Sequence, residues 1–340
     1  GGTVALTLDM GLSRLIQEQF GEQAGACVIL HPPTGAVLAM VSVPDFDPAV
    51  FVAQDTRAIH TLLNDSRSPL LNRATLGVYL PGSIAKLVTA AVGLERGLIT
   101  PATSVVCPGF LTIGNRRFHC WKRDGHGTVT LQEALMVSCN VFFMEQGRRL
   151  GLERLRQGWA AVGLGRRTGW FLPEQPGHLP TGRRLSEGDI ALLAIGQGPL
   201  LITPLQAAVM VSAIANGGHI VTPWVVEVVD GQPMLPPSSR SLGWAPLTFA
   251  ALRQGMWAVI NAPDGTGIGA HSDRVRIVGK TGTAQTHVPG QTHGWFVGFC
   301  PADEPVAAMA IVAEFGGSGG GLPAHIAKLV CEYLLVPSSA

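Results

Sequence analysis

An α/β fold, with one five-stranded antiparallel sheet covered by helices and a helical lobe beside it, is what the order of elements along these 340 residues predicts. Three observations carry that expectation. Two apolar segments on either side of Pro32-Pro33-Thr34-Gly35 form a hairpin near the start, three more strand-like segments crowd together near the end, and the long middle has a mostly helical pattern.

Taken in order, residues 3–8 alternate like a short strand, and residues 26–31 and 36–43 are the two arms of the hairpin. Pro81-Gly82 suits a sharp turn into an apolar helix over residues 84–95, with Ser83 at its entrance. Thr130-Leu131-Gln132-Glu133 is a capping box that starts a helix running to Val137, and a second helix follows from Asn140 to Leu150. Thr203 as cap, Pro204 at the first position and Gly217-Gly218 as a stop bound another helix. Strands around 278–285, 295–300 and 306–315 join the hairpin in one sheet, and a helix over 324–335 closes the chain. The composition, 46% hydrophobic and 14% charged with a net charge of +1, allows a large core and argues against a nucleic-acid partner. There is no run of about 18 or more apolar residues and no signal peptide, and the start at Gly1-Gly2, directly before a strand, suggests a trimmed chain.

Three short motifs carry chemistry. In Ser83-Ile84-Ala85-Lys86 the spacing of three puts an amine over the face that bears the hydroxyl. A serine hydroxyl is a poor nucleophile without an adjacent base, and Lys86 serves as one only when neutral, which burial and a nearby cation would favour. Lys280 is the expected cation. Ser138-Cys139-Asn140 falls in the break between two helices, where Ser138 can relay protons with Lys86 and the Asn140 amide can hold a substrate amide. Lys280-Thr281-Gly282-Thr283 lies on a strand bordering the cleft between sheet and lobe. Lys280 with Thr281 or Thr283 can take a carboxylate, Gly282 lets backbone approach a substrate, and the N–H groups of Ser83 and Thr283 can form an oxyanion hole. Each motif alone is weak, since a lone serine is more often a helix cap than a nucleophile.

All three in this order, separated by 55 and 142 residues, resemble the active-site set of penicillin-binding proteins and class A β-lactamases. Nearly the whole chain resembles the transpeptidase domain of class B penicillin-binding proteins. Leu6-Thr7-Leu8-Asp9, Asn72-Arg73-Ala74, Tyr79-Leu80-Pro81-Gly82-Ser83, Ile195-Gly196-Gln197-Gly198 and Gly294-Trp295-Phe296-Val297-Gly298 carry that likeness. Cys120-Trp121-Lys122-Arg123-Asp124-Gly125-His126-Gly127 points to the elongation-type subfamily. The resemblance implies a penicillin-binding/serine β-lactamase-like fold with residues 1–340 as one transpeptidase domain. It further implies a peptidoglycan D,D-transpeptidase that cross-links stem peptides through a Ser83 acyl-enzyme and is blocked by β-lactams. It implies catalytic roles for Ser83, Lys86, Ser138, Asn140 and Lys280, and substrate binding by Thr281, Gly282 and Thr283. Lipid II-derived glycan and a membrane glycan polymerase are the expected partners. The expected location is the periplasmic or extracytoplasmic face of the inner membrane, held by an anchor and pedestal domain that the sequence in hand lacks. A β-lactamase and a non-catalytic β-lactam sensor are the rival readings.

Six cysteines remain to be placed. Cys27, Cys300 and Cys331 lie in apolar contexts suited to small buried side chains. Cys107, Cys120, His126 and Cys139 offer the soft ligands of a closed zinc site, which would tie the loop after Cys107 to Ser138 and Asn140. A Cys107–Cys120 disulfide is the alternative. Other features have plainer expectations: Glu174 is structural, residues 230–241 form a surface loop, the glycine-rich stretch 316–321 is a flexible tip, and His287 and His293 are exposed loop histidines.

Overall fold

The computed structural model describes residues 1–181 and 185–337. Its central sheet has five antiparallel strands in the order Val278–Gln285, Thr292–Cys300, Ala307–Ala313, Gly25–Leu30 and Val37–Val43. The N-terminal hairpin therefore joins through Gly25–Leu30, which pairs Val28 with Ala310 on one side and with Met40 on the other. All six residues of Gly25–Leu30 and all seven of Ala307–Ala313 are buried, so apolar side chains are needed on both faces of these strands.

Strand periodicity divides the core in two. Ala26, Val28, Leu30, Val297, Phe299, Ala308, Ala310 and Val312 face one cluster, together with the helices Lys86–Glu95 and Pro204–Ala215. Cys27, Ile29, Phe296, Cys300, Met309 and Ile311 face the other, against the helices Met10–Phe20 and Leu322–Leu335. Each large side chain so enclosed contributes roughly 1.5–3 kcal/mol. Every residue of Pro204–Ala215 is buried, and Thr203 and Gln206 close its capping box.

The lobe holds the expected elements and more. Leu131–Met136 begins at the Thr130–Glu133 capping box. The following helix spans Asn140–Ala161 rather than ending at Leu150, but Gly151 at φ 76° and ψ 164° breaks its geometry where the sequence predicts the end. Two small hairpins were not expected: Ser104–Cys107 pairs with Gly127–Thr130, and Phe110–Ile113 pairs with Arg116–His119. Val4–Leu6 pairs with Val226–Val229 outside the main sheet. Residues 230–241 are exposed as expected but not all loop, since Gln232–Pro233 pairs with Val226–Val229 and Arg240–Ser241 with His219–Ile220; the loop over 165–188 is described apart from 182–184. No helix among the described residues is long and apolar enough to cross a membrane.

Candidate active site

The serine of the first motif stands on a tight turn. Gly82 has φ +54°, and a Cβ there would come within 2.6 Å of the Thr283 carbonyl oxygen, so only glycine permits this approach. The same residue donates from its N–H to Gly196 O at 3.0 Å. The expected helix opens with a 3₁₀ turn, Gly82–Ala85, and becomes α-helical at Lys86–Glu95. The Lys86 amine does not bond Ser83 Oγ; it donates to Ser138 O at 2.8 Å, Ser138 Oγ at 3.1 Å and Asn140 Oδ1 at 2.7 Å. Ser83 Oγ has no hydrogen-bond partner among the described residues and is half-buried.

Ser138 adopts φ +53°, a left-handed conformation that costs a non-glycine residue about 1 kcal/mol or more. That turn ends one helix and lets Cys139 cap the next, with Cys139 Sγ accepting from Phe142 N–H. It also leaves Ser138 Oγ within reach of two amines, since Lys280 Nζ donates to it at 3.0 Å beside the 3.1 Å bond from Lys86. Lys280 donates a further bond to Thr281 O at 2.9 Å. Both lysines are fully buried. Burial pushes Lys86 down to about 8, and burial first, with the charge of Lys86 second, holds Lys280 well below the ordinary lysine range. The expectation that Lys280 depresses Lys86 is thus corrected: desolvation is the main cause at both amines.

The third motif lies on Val278–Gln285, an edge strand of the sheet. Thr283 is exposed, whereas Thr281 is buried and its hydroxyl lies 2.7 Å from Thr266 Oγ1. Thr266 also approaches Met136 O with both its N–H, at 3.3 Å, and its hydroxyl, at 3.4 Å. It therefore joins the second motif's helix to the third motif's strand. Sequence reasoning did not single out Thr266; the only signal was a Gly-Thr-Gly loop (residues 265–267) in a chain with many glycines. Trp295, opposite Gly282 in the strand register, donates from its indole to Leu80 O at 3.0 Å and so ties the sheet to the segment before Ser83.

Three plainer expectations change or hold. His293 is no loop residue: it is on the strand Thr292–Cys300, partly buried, and its Nδ1 accepts from Phe315 N–H at 3.0 Å. His287 is exposed in a loop as expected. The glycine stretch 316–321 is no free tip, because Gly319 donates to Gly282 O at 3.2 Å and a Cβ there would collide with Trp295 O at 1.8 Å. Glu174 is structural: its carboxylate accepts from Thr168 N–H, Thr168 hydroxyl and Gly169 N–H at 3.0, 2.8 and 3.1 Å.

Behind the second motif, Cys107, Cys120, His126 and Cys139 present one ligand atom each, all within 4.8 Å of one another. They come from the end of one hairpin strand, the loop beyond the other hairpin, the residue before Gly127 and the cap of the long helix. His126 Nδ1 is 3.5 Å from Cys107 Sγ and 3.6 Å from Cys120 Sγ. Asn140 N–H donates to Cys120 Sγ at 3.3 Å, and hydrogen bonding, chiefly from Cys139, brings the Cys120 thiol down to about 4. All six cysteines are free thiols, so the Cys107–Cys120 disulfide is not formed. Cys27, Cys300 and Cys331 are buried.

The family description "Penicillin binding protein transpeptidase domain" matches residues 25–332. The peptidoglycan D,D-transpeptidase MrdA of Acinetobacter baumannii is 34% identical, over 99% of this chain and 54% of its own length. The protein of the same name from Haemophilus influenzae is 32% identical over 98% of this chain and 56% of its own. The chain thus spans about half the length of these relatives. Among solved structures, Pseudomonas aeruginosa PBP2 in complex with WCK 5153 is similar at a TM-score of 0.92 and 33% identity, covering 99% of this chain and 77% of that one. The complex between PBP2 and MreC from Helicobacter pylori gives 0.89 and 30%, covering 98% and 64%. Motif order, sheet topology and these likenesses agree, and the chain belongs to the family of penicillin-binding protein transpeptidase domains.

Proposed function

We propose that this chain is the acyl-transfer domain of a peptidoglycan D,D-transpeptidase of the elongation type, acting at the outer face of the cytoplasmic membrane. The observation that carries the reading is the meeting of two buried amines on one hydroxyl, Lys86 and Lys280 on Ser138 Oγ. Two such amines lose their protons as a coupled pair rather than singly. A substrate carboxylate arriving beside Lys280 and Thr283 draws the remaining proton to Lys280 and leaves Lys86 neutral. Neutral Lys86 then takes the Ser83 proton as Ser83 Oγ attacks the carbonyl of the penultimate D-Ala in a stem peptide. The C–N bond to the terminal D-Ala breaks, its nitrogen receives a proton by way of Ser138, and an ester on Ser83 remains. An amine from a neighbouring stem peptide attacks that ester, the acyl C–O bond breaks, the proton given up by the amine returns by way of Lys86 to Ser83 Oγ, and the new amide is the cross-link.

A hydrolytic β-lactamase is disfavoured because Glu174 spends its carboxylate on Thr168 and Gly169. The test is the half-life of a fluorescent penicillin adduct, expected to be hours; seconds would favour a lactamase. Cross-linking of lipid II-derived glycan made by a membrane glycan polymerase then separates a transpeptidase from a sensor. A structure entitled "Structural coordination of polymerization and crosslinking by a peptidoglycan synthase complex", 32% identical and with a TM-score of 0.90, supports choosing such a polymerase as partner.

Carboxylate recognition gives a separate expected result. Lys280→Ala should lower acylation by carboxylate-bearing β-lactams roughly 10- to 100-fold, the range for a charged hydrogen bond of about 1.5–3 kcal/mol, and lower it less for analogues with that carboxylate esterified. Equal losses in the two series would assign Lys280 to the titration of Lys86 or to the fold.

The four-ligand cluster is proposed to hold one structural zinc. A tetrahedral site with bonds of about 2.3 Å to sulfur and 2.0 Å to nitrogen has sulfur–nitrogen edges of about 3.5 Å. The separations of 3.5 and 3.6 Å around His126 Nδ1 suit that figure. Cys139 is also the link between Ser138 and Asn140, so the metal would hold both against the cysteine loop. Protein purified without chelator should contain close to one zinc per chain. Stripping should lower the melting temperature by on the order of 10 °C, from about 4 kcal/mol of binding linkage at a thousandfold excess over Kd. Acylation should fall with it. Elemental analysis finding no metal, with thiol titration still counting six cysteines, would remove the zinc from this reading.

A further inference from the structure

The nucleophile's approach segment is held from two sides, and the two holds differ in kind. On the lobe side the backbone is fixed: Tyr79 exchanges hydrogen bonds with Ile202 at 2.9 Å each way, and Gly82 N–H bonds Gly196 O. On the sheet side the ties are made by side chains, the Trp295 indole on Leu80 O and the Tyr79 phenol. The Tyr79 phenol donates to Glu314 Oε1 at 2.8 Å, just past the end of the strand Ala307–Ala313. Arg73 Nε stands 3.1 Å from the same oxygen, an ion pair out of line for a hydrogen bond, while its other nitrogens donate to Ser68 O and Arg67 O at 3.1 and 2.7 Å. Both Arg73 and Tyr79 are buried.

Glu314 is also a junction for the third motif's side of the cleft. Its N–H bonds Ala24 O and its carbonyl accepts from Gln23, which fix the carboxylate's base to the sheet. The next residue, Phe315, donates to His293 Nδ1, and His293 and Trp295 both present their rings edge-on to Tyr79, at 5.4 and 5.9 Å between centroids. Burial and the neighbouring carboxylate keep the phenol protonated, so it is the donor in this contact.

We propose that Arg73, Glu314 and Tyr79 form a positioning unit that sets the distance between Ser83, whose segment is carried by the lobe, and the Lys280–Thr283 strand, which belongs to the sheet. None of the three touches the reacting atoms. Ser83 and Thr283 have to face one carbonyl together, and beside this unit the sheet and the serine's segment meet at the Trp295 indole on Leu80 O and at the close approach of Gly82 to Thr283 O. A displacement of about 1 Å at such a place can cost on the order of a hundredfold in rate. This inference rests on the acyl-transfer reading above.

The test is Tyr79→Phe, which keeps the ring and its packing and removes one hydroxyl, with Glu314→Gln and the double variant beside it. Penicillin acylation is followed by stopped flow so that the first-order acylation step and the dissociation constant of the preceding complex are separated. Tyr79→Phe should slow the acylation step at least tenfold and change the dissociation constant less than twofold. The double variant should be no slower than the worse single one, because the two residues act as one unit. A lowered melting temperature with an acylation step within twofold of wild type means the contact only stabilises the fold, and the proposal fails. Multiplying losses in the double variant also overturn it. Wild-type protein that takes no label at Ser83 overturns the acyl-transfer reading and this proposal together, whereas labelling of wild type with an unaffected Tyr79→Phe overturns this proposal alone.

Discussion

Ser83→Ala is expected to take up no penicillin at all and to melt within about 0.5 kcal/mol of the wild-type protein. The first half follows from covalency: the adduct is an ester on Ser83 Oγ, and alanine has no atom to form it. The second follows from the hydroxyl's surroundings. Ser83 Oγ makes no hydrogen bond among the described residues, so its loss leaves no buried donor or acceptor unpaired. The tight turn that presents it is set instead by Gly82, whose φ of +54° and contact with Thr283 O are untouched by the change. Intact-mass analysis after incubation with penicillin, alongside a thermal melt, checks both halves. An added mass of one penicillin on the alanine variant would place the nucleophile elsewhere.

Lys86→Ala should slow acylation by about 10²- to 10⁴-fold, the usual contribution of a positioned general base. The wild-type pH profile supplies a check free of any effect on folding. Burial has lowered Lys86 to about 8, so its base form is scarce below that pH and dominant above it. The acylation rate of wild type should therefore climb by nearly tenfold per pH unit up to about pH 8 and then level. Lys280 is held down as well, by burial and by the charge of Lys86, so the midpoint belongs to the pair rather than to Lys86 alone. In the alanine variant the rise should vanish, because the group that titrates is gone. A variant that regains the wild-type rate at high pH would assign the base to some other group. Since Lys86 also fills acceptors at Ser138 O and Asn140 Oδ1, the variant's melt should be recorded with its kinetics.

The difference between what could be read along the chain and what could not is clearest in pairs of residues. Ser83 and Lys86 are three apart, so a single turn of helix brings them near and the motif is visible as text. Thr266 and Thr281 are also close in sequence, yet nothing about a threonine between glycines distinguishes it until Met136 and Thr281 are seen on either side. Tyr79 and Glu314 are 235 positions apart and meet only because Ala307–Ala313 lies inside the sheet. His293 and the stretch 316–321 differ from expectation for the same reason: a polar or glycine-rich segment looks like an exposed loop unless its neighbours across the sheet are known.

Local rules sufficed for the five strands, the capping boxes at Thr130 and Thr203, the break at Ser138 and the identity of the three motifs, because each depends on spacing within a few residues, while side-chain chemistry alone singled out the cysteines and histidine at 107, 120, 126 and 139 that the structure brings together. Tertiary structure alone decided that Lys86 turns to Ser138 and Asn140 instead of Ser83, that desolvation rather than Lys280's charge is what chiefly lowers Lys86, and that Glu174 is consumed by its own loop. Those outcomes depend on how deeply a group is buried and which acceptors surround it, and both are properties of packing between segments far apart in the chain.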